Sequence, residues 1–230
     1  MTKRLIRYFS RGEALLWCSS AALILAAFCV FDRTRYMTLI ASLIGVTAIL
    51  FNAKGNPIGQ LLMVVFSLLY GAISYSFSYY GEMVTYLGMS MPMAIFALIA
   101  WLRNPYQGNR SEVQVHALTR REGVLILLLS AVVTGVFYFI LAYFHTPNLL
   151  PSTVSVTTSF LAGALTLRRS PLFSLAYAAN DVVLLILWAL ASAEDLRYLS
   201  VEVCFLAFLV NDLYGFFSWR SMQRRQAAAA

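Results

Sequence analysis

Eight stretches of nearly continuous apolar sequence run along the chain: Ala14–Phe31, Tyr36–Phe51, Ile58–Tyr80, Met83–Leu102, Gly123–Phe144, Ser152–Leu167, Pro171–Ala191 and Leu199–Trp219. None alternates apolar and polar residues with a period of two, which removes a β-barrel. A backbone immersed in lipid must satisfy its own hydrogen bonds, so each stretch is predicted to be a transmembrane helix. The first follows Lys3, Arg4, Arg7 and Arg11 as a signal peptide would, but its 18-residue length and the seven later spans predict a retained helix.

The polar punctuation between the runs hints at a duplication. The second and sixth spans are both short, at 16 residues each. Each ends in a basic, polar turn, Asn52-Ala-Lys-Gly-Asn56 or Arg168-Arg-Ser170. Pro57 or Pro171 then opens the next helix, where a missing N–H costs nothing. The third helix of each trio ends at a tryptophan, Trp101 or Trp219. The expected organisation is therefore a segment 1–35 with one extra helix, a three-helix repeat 36–102, a loop and linker helix 103–144, a second repeat 145–219 and a tail 220–230. A single linker helix makes the repeats parallel, and many transporters place their site between such repeats.

Composition agrees with a polytopic membrane protein. Of 230 residues 60% are hydrophobic and only 12% charged, with a mean hydropathy of +0.74; soluble domains carry roughly 25% charged residues. The net charge of +7 has a topological explanation. With the N-terminus inside, fourteen of the 17 Lys and Arg residues fall on inner segments. Positive charge marks the cytoplasmic side, so both termini are expected there and no nucleic-acid partner is implied. Cys18, Cys29 and Cys204 lie in apolar runs without ligand spacing, and neither a metal nor a cofactor is expected.

Polar groups inside spans are costly and mark use. Gln60, Ser67 and Ser74 recur every seven residues on one face of the third span, with Tyr70 beside it. Thr85 lies in the fourth, with Glu82 at its outer end. The seventh carries Asn180, Asp181 and Trp188, and the eighth carries Asn211, Asp212 and Tyr214. Asn180 with Trp188, and Asn211 with Tyr214, share helix faces and are the expected walls of a substrate cavity. Asp181 and Asp212 point elsewhere on their helices. The hydroxyls can instead bond their own helix carbonyls, and buried amides can simply join helices. Some chemistry is missing: there is no GxxxxGK[ST] loop, no GxSxG or HExxH, and no lysine within a span, while His116 and His145 fall in loops.

The stretches Asn52-Ala-Lys-Gly-Asn-Pro-Ile-Gly-Gln60, Tyr70-Gly-Ala-Ile-Ser-Tyr-Ser-Phe-Ser-Tyr-Tyr-Gly-Glu-Met83, Gly88-Met-Ser-Met-Pro92 and Asn211-Asp-Leu-Tyr-Gly-Phe-Phe-Ser-Trp219 resemble the PnuC family of vitamin transporters. The resemblance covers spans two to eight. It implies an all-α integral membrane protein with a 3+1+3 parallel repeat related to SWEET transporters, preceded here by one extra helix. It further implies a homotrimer in a bacterial cytoplasmic membrane that moves nicotinamide riboside by facilitated diffusion. A cytoplasmic riboside kinase would trap the substrate. Gln60, Asn180, Asn211, Trp188 and Tyr214, with Ser67, Tyr70, Thr85 and Asp181 nearby, supply amides for a carboxamide and ribose and rings for a pyridinium cation. Alternatives are another vitamin, such as riboflavin or thiamine, or a sugar on the same fold, or a receptor or scaffold that transports nothing.

Overall fold

The computed structural model describes residues 8–76 and 80–229. Lys3, Arg4 and Arg7, and residues 77–79 near the end of the third expected span, lie outside the described residues. Among the described residues, eight helices are long and apolar enough to cross a membrane: α1 Arg11–Phe31, α2 Tyr36–Ala53, α3 Pro57–Ser76, α4 Tyr80–Arg103, α5 Arg120–Tyr143, α6 Leu149–Leu167, α7 Leu172–Ser192 and α8 Leu199–Ala228. A small antiparallel hairpin, β1 Pro105–Tyr106 and β2 Asn109–Val113, interrupts the loop between α4 and α5. The segment expected as a free tail instead continues α8, and Gln226 Nε2 donates to the Val113 carbonyl at 3.0 Å.

Helices α2, α3, α4, α6, α7 and α8 pack in that order as a ring, closed by α8 against α2. Helix α1 docks outside the ring on α8 and α2, and α5 docks on α6. Much of α5 presents leucine and valine outward, for example Leu127 at 61% and Val132 at 64% exposure, as suits a lipid-facing helix. Lipid gives no hydrophobic drive for helices to pair, so close approach and hydrogen bonds must hold the ring. Gly59 at the start of α3 provides such an approach. A Cβ there would stand 2.7 Å from the Asn52 nitrogen and 2.8 Å from the Ala48 carbonyl, both immovable backbone atoms of α2.

The two halves carry matching local devices. Helices α1 and α5 both begin in a capping box, Ser10 with Glu13 and Thr119 with Glu122, which satisfies otherwise orphaned N–H groups. Each capping glutamate then pairs with a cation in the turn after the next helix: Glu13 with Lys54 Nζ at 2.9 Å, and Glu122 with Arg168. Each of those turns passes through a left-handed residue, Gly55 at φ 65° and Arg169 at φ 57°. Trp219 Nε1 donates to the Asn52 carbonyl at 2.7 Å, and Trp101 Nε1 to the Thr166 carbonyl at 2.9 Å, so each tryptophan closes the end of a helix in the other half. The loop between the halves reaches both turns, with Val113 N donating to Gly55 O and His116 N to Arg169 O.

Candidate functional site

The ring encloses a cavity lined by residues from all six of its helices. On the side where α4 and α8 end, Trp101, Trp219 and Phe173 plug it. Their ring centroids lie 4.8–6.2 Å apart, and none is more than 1% exposed. On the other side a second pocket shares Tyr86, Ser90 and Ser159 with the cavity, and an outer vestibule shares Glu82 and Ser152 with that pocket. The pockets thus form a path toward the face opposite the chain termini.

Each wall has a distinct chemistry. Helix α7 contributes Asn180, whose Oδ1 accepts from Thr158 Oγ1 at 2.8 Å, Ser159 Oγ at 3.0 Å and Ser155 Oγ at 3.4 Å, all on α6. Three hydroxyls on the carbonyl oxygen fix the amide's orientation and leave its NH₂ to face the cavity. Asp181 and Asp212 add a carboxyl each, from α7 and α8. Helices α3 and α4 supply Phe66, Ser67 and Tyr86, and α8 supplies Phe205 and Phe208. Tyr86 is braced from behind by Tyr70, with ring centroids 4.7 Å apart. Tyr86 opens a π-helical segment, Tyr86–Ser90, inside α4. Pro92 has no N–H to offer Gly88, and the Met91 N–H reaches back to Tyr86 instead.

Among the residues singled out in the sequence, Ser67, Asn180 and Asp181 line this cavity together. Gln60 does not; its Nε2 donates to Asn52 Oδ1 at 2.8 Å, and Asn52 is the lining residue. Tyr70 stands behind Tyr86 with 4% exposure. Thr85 lines the second pocket and bonds the Gly81 carbonyl within its own helix.

Three placements correct the sequence reading. Trp188 lies in the outer vestibule beside Glu82, because eight residues of helix carry it about 12 Å along the axis from Asn180. Asn211 faces α1, donating from Nδ2 to Ser20 Oγ at 2.8 Å. Tyr214 also faces α1, donating to Glu13 Oε1 at 2.9 Å. The group on α8 that faces the cavity is Asp212, one residue and about 100° round from Asn211. Asp181, expected on another face from Asn180, lines the cavity with it. Tyr86, Phe205 and Phe208 were not among the expected site residues.

No lysine or arginine lines the cavity, the second pocket or the vestibule among the described residues. Negative and aromatic groups without a compensating cation suit a positively charged aromatic ligand and oppose a phosphate.

Comparison with known proteins agrees with this architecture. The chain is 26% identical over 204 residues to the nicotinamide riboside transporter PnuC of Neisseria mucosa, covering 86% of this chain and 77% of that one. It is 22% identical over 210 residues to the nicotinamide riboside transporter PnuC of Haemophilus influenzae, covering 89% of each. A crystal structure of the vitamin B3 transporter PnuC superposes with a TM-score of 0.81 at 24% identity, over 95% of this chain and 94% of that one, and so shares the fold. Residues 35–221 match the profile of the nicotinamide mononucleotide transporter family. With four fifths of its length matched and eight helices long and apolar enough to cross a membrane among the described residues, the chain belongs to that family of multi-pass membrane transporters.

Proposed function

We propose that this transporter carries nicotinamide riboside across a bacterial cytoplasmic membrane. The observation that carries the reading is the charge of the path: Glu82, Asp181 and Asp212 line it, and no lysine or arginine does among the described residues. A pyridinium cation is attracted by carboxylates and by ring faces. The phosphate of a mononucleotide would bring negative charge into a low-dielectric site with no cation to meet it, a strongly unfavourable placement. The riboside is therefore preferred to the mononucleotide that the family's description names. The names of the two curated relatives support the same choice.

The same asymmetry gives uptake a direction. Movement is by facilitated diffusion, and phosphorylation by a cytoplasmic kinase turns the cation into a species that the cavity rejects. The excess of basic residues on the face of the chain termini supports both termini being cytoplasmic. The expected homotrimer would use the apolar outer surfaces, of which α5 presents the most.

Proteoliposomes test this directly. Preloaded unlabelled riboside should draw in labelled riboside without nucleotide or ion gradient, and external mononucleotide should fail to compete. Competition by mononucleotide as strong as that by riboside would overturn the substrate. Counterflow that appears only under an imposed ion gradient would overturn facilitated diffusion.

A further inference from the structure

The cavity contains one arrangement that the residues beside it do not explain. Asp181 on α7 and Asp212 on α8 are hydrogen-bonding neighbours. Both line the cavity, and they are only 4% and 5% exposed. The Asp181 Oδ2 atom is buried without any hydrogen-bond partner. Two carboxylates only accept hydrogen bonds, so a bond between two carboxyl groups requires a proton on one of them. Like charges at that distance in a buried site do not both ionise. At least one of the two carboxyls is therefore protonated, and the pair carries at most one negative charge between two side chains.

The surroundings leave that charge uncompensated. The other titratable groups facing the pair are Tyr177 on α7, Tyr86 on α4 and Cys204 on α8, all neutral in their ordinary state. Glu82 faces the path farther out. Helices α2, α3 and α6 contribute apolar, amide, hydroxyl and thioether groups to the lining and, among the described residues, no titratable side chain. A buried charge is tolerated when something pairs with it. Here the available partner is whatever occupies the cavity that both carboxyl groups line.

We propose that Asp181 and Asp212 act as one cation-recognition element, a single negative charge shared over two carboxyl groups, which selects a cationic aromatic ligand over a neutral one of the same shape. It rests on the riboside reading given above and names the groups that read the substrate's charge. A shared charge differs from two independent contacts in a testable way. Replacing either carboxyl by an amide leaves one carboxylate, with the amide N–H in place of the shared proton. Replacing both removes the charge.

The test is calorimetric affinity of the purified full chain for nicotinamide riboside and for its neutral dihydro form, in wild type, Asp181→Asn, Asp212→Asn and the double variant. Each single variant should bind the cation within about ten-fold of wild type, because the net charge is unchanged. The double variant should lose at least about 30-fold, as expected when a buried charge loses its partner. The dihydro form should bind all four proteins alike. A double variant within a few-fold of wild type overturns the proposal, and so does a single variant as weak as the double, since the charge is then not shared. If the double variant does not fold, wild type decides: cation binding no tighter than the dihydro form refutes the element, and tighter binding by a comparable factor supports it. Thiamine, another aromatic cation, separates the two readings. If thiamine follows this pattern while riboside does not bind wild type, the substrate assignment fails and the shared charge stands.

Discussion

Asn180→Ala is the substitution whose effect the cavity defines most sharply. The Asn180 carbonyl oxygen already accepts three hydroxyls from α6. Its NH₂ has no acceptor among the described residues and faces the cavity, so a ligand carbonyl or ribose hydroxyl is its natural partner. Removing the amide leaves that ligand group buried without a donor, which costs about 1–3 kcal/mol, or roughly five- to 150-fold in affinity. The helix pair should survive the change. Thr158 Oγ1 also bonds the Val154 and Ser155 carbonyls of its own helix at 3.1 and 3.0 Å, and serines in a helix have the same recourse. The measurement is calorimetric affinity for nicotinamide riboside on folded, monodisperse protein. Ser74→Ala provides the control: Ser74 is buried in α3 away from the cavity lining, and its loss should leave affinity near wild type. If Asn180→Ala also binds within about two-fold of wild type, no hydrogen bond of ordinary strength reaches the ligand from Asn180, and the argument from amide orientation is wrong.

Tyr214→Phe should cost about 1–2 kcal/mol of stability through its lost bond to the Glu13 carboxylate, with riboside affinity unchanged; thermal unfolding and calorimetry on one preparation check both, and a tenfold loss of affinity at unchanged stability would return Tyr214 to the site. Partial burial, then Arg168 and Arg169, hold the His116 imidazole below the ordinary histidine range. The unfolded chain takes up a proton at about pH 6.5 while the folded one resists, so stability is lost as pH falls from about 7 toward the lower folded value. His116→Asn should flatten the acid side of a melting-temperature series, and an unchanged slope would refute the assignment.

The helices were legible because lipid allows few alternatives. Apolar runs of about 20 residues that cannot leave backbone groups unpaired have to be helices. The paired prolines and the matched turns before them also marked real corners: Gly55 and Arg169 occupy equivalent left-handed positions there, although only one is a glycine. The extra first helix was the weak point. Read as an addition, it supplied no neighbours. Yet its capping glutamate binds Lys54 and Tyr214, and its Ser20 receives Asn211.

That omission explains why Asn180 of α7 stands in the cavity wall as expected, while Asn211 and Tyr214 of α8 do not. A helix in a ring of six has one polar direction, toward the cavity, only if nothing polar covers its back. The back of α7 carries no such helix, so Asn180 and Asp181 both serve the interior despite the turn between them. Helix α8 is covered by α1, and its polar residues divide, with Asn211 and Tyr214 answering α1 and Asp212 answering the cavity. Spacing along one helix cannot tell these directions apart, because Asn211 with Tyr214 is as good a face as the one through Asp212. What decides is the partner each side chain meets. Asn211 meets a serine hydroxyl that accepts its hydrogen bond, whereas Asp212 meets another acid and an open volume. A side chain whose N–H or O–H is taken up by a neighbouring helix, as those of Asn211 and Tyr214 are, serves the packing. One that is buried beside a like group, with space in front of it, is left for a ligand.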